Sequence, residues 1–127
     1  MKNFLVLVLL IGASASAHAT TGEELQHNCR LATTVQPNQS MGKNEWLNAG
    51  HCYGQIEGVM DMLTVWHAMN GIGERAANGE ACVPGEVSVR QGALVVLKYL
   101  DAHLEKLHLL GSNLIRFAFQ EAYPCKE

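Results

Sequence analysis

Apolar positions recur along this chain at steps of three and four, a spacing that predicts helices over most of its length. In the first, over about residues 22–32, Leu25, Cys29 and Ala32 share one face. Residues 33–43 collect Thr, Pro, Asn, Ser and Gly, which turn the backbone or bond to it locally, so an exposed loop is expected. A second helix over about 44–69 carries a stripe of Ala49, Cys52, Tyr53, Ile56, Met60, Leu63 and Trp66. The polar, glycine-rich stretch 70–84 stops it. The third helix opens at Ser88, whose hydroxyl can cap it while Gln91 reaches back from three residues on. Its stripe is Val89, Ala93, Val96, Leu97 and Leu100. Leu94, Val95 and Tyr99 make it apolar almost all round, as befits a central helix or one covered by a partner. The last helix spans about 106–123, with Leu107, Leu110, Leu114, Phe117 and Ala118 inward, Asn113, Arg116 and Gln120 outward, and Pro124 ending it. Strand signals are weak throughout. The fold class is all-α, a single small domain of about four helices.

Within the second helix Gly50, Gly54 and Gly58 stand four apart, with Asp61 three further on, so the four share a face. Each glycine costs a helix interior about 1 kcal/mol against alanine. The stripe is therefore expected to admit another helix at close range, with a bend or break at the glycines as the alternative. Asp61 is expected to be buried and satisfied by backbone or by a polar side chain such as Gln91.

The amino terminus follows another grammar. Lys2 precedes a continuous apolar run from Phe4 to Ile11, and small residues lead to Ala17-His18-Ala19. This is the pattern of a signal peptide, 1–19, cleaved after Ala19. The run is interrupted at Gly12, Ser14 and Ser16, short of the roughly 20 apolar residues of a spanning helix, so no membrane anchor is expected. The mature domain, 20–127, keeps eight basic against twelve acidic residues, which argues against nucleic acid as a partner. Cys29, Cys52, Cys82 and Cys125 all fall in it. An even count in a short exported chain reads as a disulfide framework, and no pair has the C-x-x-C spacing that nucleates a zinc site. Four cysteines allow three connectivities. If the third and fourth helices form an antiparallel hairpin, Cys125 returns to Cys82 and Cys29 is left with Cys52.

No arrangement announces catalysis. The histidines are scattered, and His103 and His108 are five apart rather than the four that would align two metal ligands on a helix. With every cysteine oxidised, none is left for a Cys-His nucleophile pair. Asp61 has no second carboxylate or base in view. Neither enzymatic activity nor a cofactor is expected, and Tyr99, Tyr123, Trp46 and Trp66 read as core or rim residues.

Cys52-Tyr53-Gly54-Gln55-Ile56-Glu57-Gly58-Val59-Met60-Asp61 is followed by Cys82-Val83-Pro84 with Val87 and Gln91. Then come Lys98-Tyr99-Leu100, Leu107-His108 and a terminal Ala122-Tyr123-Pro124-Cys125. Together these resemble the Rap/Tai family of immunity proteins of bacterial type VI secretion systems, over about Cys29 to Cys125. The chain departs from the family pattern at Gln55, where an aromatic is usual, and at Leu104, where a proline is usual. The resemblance implies a periplasmic, all-helical, often homodimeric inhibitor. Its partner would be a cognate peptidoglycan amidase effector, a Cys-His hydrolase whose cleft it blocks, so that producer and kin cells are protected. The segment 71–81 then reads as the effector-binding loop, held rigid by its disulfide. In it Glu74, Arg75, Asn78 and Glu80 offer charge and hydrogen bonding beside Cys82. Tyr53, Gly54, Gly58 and Asp61 are assigned to helix packing. The alternative is a periplasmic helical stress chaperone or another protein-binding module.

Overall fold

The helical spacing is realised as α1 (Gly22–Thr34), α2 (Lys43–Met69), α3 (Val89–Ala102) and α4 (Gly111–Ala122), with a 3-10 turn at Leu104–Lys106. This computed structural model describes residues 19–36, 38–71, 73 and 78–126, among which there is no strand. Residues 1–18 of the expected signal peptide lie outside the described residues.

Each of the first three helices begins where an orphan backbone donor finds an acceptor. Glu24 N donates to Thr21 Oγ1 (3.4 Å), and Gly42 N donates to the Glu45 carboxylate (2.7 Å). Gln91 N donates to Ser88 Oγ (3.2 Å), the cap foreseen for α3. α1 runs two residues further than its spacing suggests. Its closing threonines bond back one turn, Thr33 Oγ1 to Cys29 O (2.8 Å) and Thr34 Oγ1 to Arg30 O (2.7 Å), so they finish the helix instead of leaving it.

α4 begins five residues later than the apolar spacing predicts, because the carbonyls before it are taken. Gly22 N donates to Leu109 O (2.9 Å) and Glu23 N to Leu107 O (3.1 Å), while Gly111 N donates to Thr20 O (2.8 Å). The free donors of α1's first turn thus find acceptors in the α3–α4 connection, which turns there rather than coiling into α4. Gly22 is required at this crossing, since a Cβ on it would sit 2.8 Å from Leu107 O. In the same connection the ring of His103 stacks on Tyr99 at 4.0 Å.

The core is built from Leu25, Ile56, Val96, Leu100, Leu114, Ile115 and Phe119, all without exposure. α3 packs on the other three helices, yet Leu94 stays 48% exposed, so its apolar surface is covered only in part. It meets α2 at Gly92, where a Cβ would fall 3.1 Å from Ile56 and 3.3 Å from both Met60 and Phe119. Two expected inward residues lie outside instead: Trp66 is 43% exposed, and Leu110, displaced to the N-cap of α4, is 48% exposed. At the surface, Arg30 and Gln26 both donate to Asp101 (2.7 and 2.8 Å), an exposed pair that contributes little.

Both disulfides follow from the α3–α4 hairpin. Cys82 is joined to Cys125 and Cys29 to Cys52, with Cα separations of 4.8 and 5.0 Å. On loop entropy alone the Cys82 bridge is the stronger, but only by about 0.5 kcal/mol, since the dependence on loop length is logarithmic. Burial reverses that order. Cys29 and Cys52 are wholly inside, and removing their sulfurs leaves a void between α1 and α2. Replacing Cys29 and Cys52 together by alanine is expected to cost about 4–5 kcal/mol in urea unfolding. The Cys82→Ala/Cys125→Ala variant is expected to lose about 3–4 kcal/mol, a smaller loss despite its longer loop.

Candidate functional site

The second disulfide fixes one end of the segment singled out for binding. Asn78 and Gly79 form a turn, and Gly79 has a positive φ of 64°, the left-handed region that glycine enters without a Cβ penalty. Beyond it the chain pairs with the carboxyl terminus. Cys125 N donates to Glu80 O (3.1 Å), Cys82 N donates to Tyr123 O (2.7 Å), and Ala81 bridges Pro124. Of the four predicted contact residues, Asn78 is exposed and Glu80 half-buried, while Glu74 and Arg75 lie outside the described residues.

Glu80 lines a cleft of about 230 Å³ with Met62, Leu63, Trp66 and Arg116. A second cleft, of about 190 Å³, lies between the last turns of α2 and the irregular segment after Cys82, with Asp61, Thr64, His67 and Pro84 in its walls. The carboxyl-terminal half of α2 is thus flanked by two clefts and presents Met62, Val65, Trp66 and Met69, 43–75% exposed. Nothing in the apolar spacing marks this surface, because Trp66 continues the buried stripe by period and leaves it only where α2 outruns its neighbours. Arg116 Nε and His67 Nε2 are buried there with no hydrogen-bond partner among the described residues.

Asp61 is not buried. It is exposed, as is Gln91, because α3 crosses α2 on the side of Ile56 and Met60 and leaves Asp61 to solvent. The glycine stripe is open as well: a Cβ on Gly50, Gly54 or Gly58 would meet nothing within 4 Å. No described helix approaches the stripe, and α2 continues unbroken through it. At its amino-terminal end an open groove of about 470 Å³ runs past Trp46, Leu47, His51 and Gln55. Gln55 has a use within the fold, since its Nε2 donates to Thr20 Oγ1 (2.6 Å).

His67 lies with the sulfurs of Cys82 and Cys125, their ligand atoms within 4.8 Å of one another. Those sulfurs are bonded to each other, so neither is a thiolate ligand. No cysteine is free to act as a nucleophile. Lys106 in the α3–α4 connection has a raised affinity for its proton. The hydrogen bond from its Nζ to the Tyr99 hydroxyl (3.0 Å) raises it above the ordinary lysine value.

A family model described as Rap1a immunity proteins matches residues 21–125. Neither a curated protein nor a solved structure matches the chain.

Two glycines of this surface should respond oppositely to the same change. Gly79→Ala is expected to lower unfolding stability by about 1 kcal/mol, because alanine is strained in the left-handed region. Gly54→Ala is expected to raise it by up to about 1 kcal/mol, because its Cβ enters open space on a helix. Urea unfolding at low protein concentration checks both signs.

Proposed function

Because the chain belongs to the Rap1a immunity protein family, we propose that it is a homodimeric periplasmic inhibitor of a type VI secretion peptidoglycan amidase, protecting producer and kin cells by blocking the enzyme's cleft. The family match over residues 21–125 carries this reading. Two disulfides suit an oxidising compartment, and no described helix is long and apolar enough to cross a membrane. Export with cleavage after Ala19 would leave Thr20 as the first residue. Thr20 is the point at which the fold takes hold of the chain, accepting from Gly111 N and from Gln55 Nε2.

The blocking element in this reading is the segment 71–81, with Glu74, Arg75, Asn78 and Glu80 as its contact residues. Its support is mechanical. The carboxyl-terminal stem of the segment is clipped to residues 123–125 by two backbone hydrogen bonds and a disulfide, so less freedom is lost when it enters a cleft. The Trp66–Glu80–Arg116 cleft beside it offers a tryptophan and an arginine, residue types enriched at interface centres. The protein acts by binding, without chemistry of its own.

The test is titration of the mature protein into a peptidoglycan digest run by the cognate amidase. Stoichiometric inhibition is expected, together with an effector dissociation constant at least about 100-fold weaker when Glu74, Arg75, Asn78 and Glu80 are all replaced by alanine. Inhibition that survives the fourfold replacement removes the loop from the mechanism. Absence of inhibition by the unaltered protein removes the reading itself. The mass of protein recovered from the periplasm reports the cleavage point.

A further inference from the structure

We infer that opening the Cys82–Cys125 disulfide creates a site for one thiophilic divalent cation, of the type of Zn2+, held by the two thiolates and the imidazole of His67. The geometry is nearly in place in the oxidised protein. A ring nitrogen of His67 and the two sulfurs lie within 4.8 Å of one another. Around a tetrahedral zinc ion, with Zn–S of about 2.3 Å and Zn–N of about 2.0 Å, ligand atoms stand about 3.5 Å apart, so these three need to shift by only about 1–2 Å. His67 also has donor capacity to spare, since its Nε2 is buried with no hydrogen-bond partner among the described residues. It stands in the last turn of α2, where the cleft walled by Asp61, Thr64 and Pro84 reaches it from solvent.

Access decides which of the two disulfides opens, because an attacking thiolate must reach a sulfur. Cys29 and Cys52 have no exposure, whereas Cys82 and Cys125 are half-buried. Reduction by a dithiol balances simply: the dithiol closes to its own disulfide, the Cys82–Cys125 bond breaks, and two electrons and two protons pass to the freed sulfurs. The thiols then stay side by side. The bonds from Cys82 N to Tyr123 O and from Cys125 N to Glu80 O, with the Ala81–Pro124 bridge between them, do not involve sulfur. The buried Cys29–Cys52 bond meanwhile keeps α1 on α2. When the cation binds, both thiols release their protons to solvent, and two thiolates with a neutral imidazole make an uncharged complex with a dication. Water completes the fourth position. The ion takes over the task of the disulfide and extends it, holding the loop stem to the carboxyl terminus and tying both to the end of α2.

The test uses the mature protein treated with dithiothreitol, freed of it by anaerobic gel filtration, and titrated with Co2+ and then Zn2+. Alkylation and mass analysis are expected to find Cys82 and Cys125 reduced and Cys29–Cys52 intact. Co2+ is expected to give the visible absorption of a tetrahedral thiolate complex at one ion per chain, and Zn2+ to bleach it. Zn2+ is expected to raise the thermal midpoint of the reduced protein and to leave that of the oxidised protein unchanged. His67→Ala is expected to weaken the ion at least about 100-fold, because even groups standing behind a ligand contribute about 10–100-fold. His67→Cys, which supplies a third ligand of another type, is expected to keep it. Circular dichroism of the oxidised variants checks their fold, and His67→Gln replaces His67→Ala if the latter does not fold. A reduced protein that binds neither ion overturns the inference. So does an affinity indifferent to His67→Ala, which leaves the ion on the thiolates alone, and so does a reduction that opens both disulfides together. Amidase inhibition enters none of these measurements, so failure of the immunity reading leaves the site standing.

Discussion

Cys29 and Cys52 are bonded to each other in the middle of the core, where neither has any contact with solvent, and this bond holds α1 to α2 at one depth and one rotation. The Tyr53 hydroxyl donates to Ala32 O at 2.6 Å and fixes the carboxyl-terminal end of α1 against the same helix. The amino-terminal end of α1 is thereby placed to give its unpaired N–H groups to Leu107 and Leu109, and that in turn decides where α4 begins. In a domain of about this size the apolar core alone leaves a narrow margin, so a constraint that positions three elements counts for more than its own bond. The second disulfide is nearer the surface, and its effect is local. It closes the fold at its carboxyl terminus and stiffens the stem of the loop.

Helix number, class and disulfide pairing were legible in the chain because each rests on a local rule: apolar spacing, a serine cap, and the geometry of a hairpin. What could not be read depended on partners distant in sequence. Leu107 and Leu110 have the period of an inner helical face, but backbone donors of α1, far earlier in the chain, claim the carbonyls of Leu107 and Leu109, and the hydrogen bonding of α1 overrides the period of α4. Asp61 shows the same limit from the other side. Its neighbours are apolar, yet which side of α2 is covered depends on where Gly92 lets α3 cross, and Gly92 carries no mark of that in the sequence. Within the candidate site, Asn78 and Glu80 were singled out because polar residues beside a tethered cysteine announce a constrained loop. The cleft that Trp66 and Arg116 line was not legible, because it arises from the packing of two helix ends.

The glycines of α2 were noticed in the sequence for their cost, and the structure changes the explanation of that cost. Three glycines in a helix interior forgo about 3 kcal/mol of helical preference, a large part of the 5–15 kcal/mol by which domains are usually stable. Gly92 and Gly22 each recover such a loss within the chain, one by admitting α2 to α3 and the other by admitting a carbonyl to α1. Gly50, Gly54 and Gly58 recover nothing there. The loss is repeated at three consecutive turns, on a face that also exposes leucine and valine, with no contact among the described residues to offset it. The inner side of α2 therefore obeys the core, while the glycines of its outer side answer to no contact among the described residues.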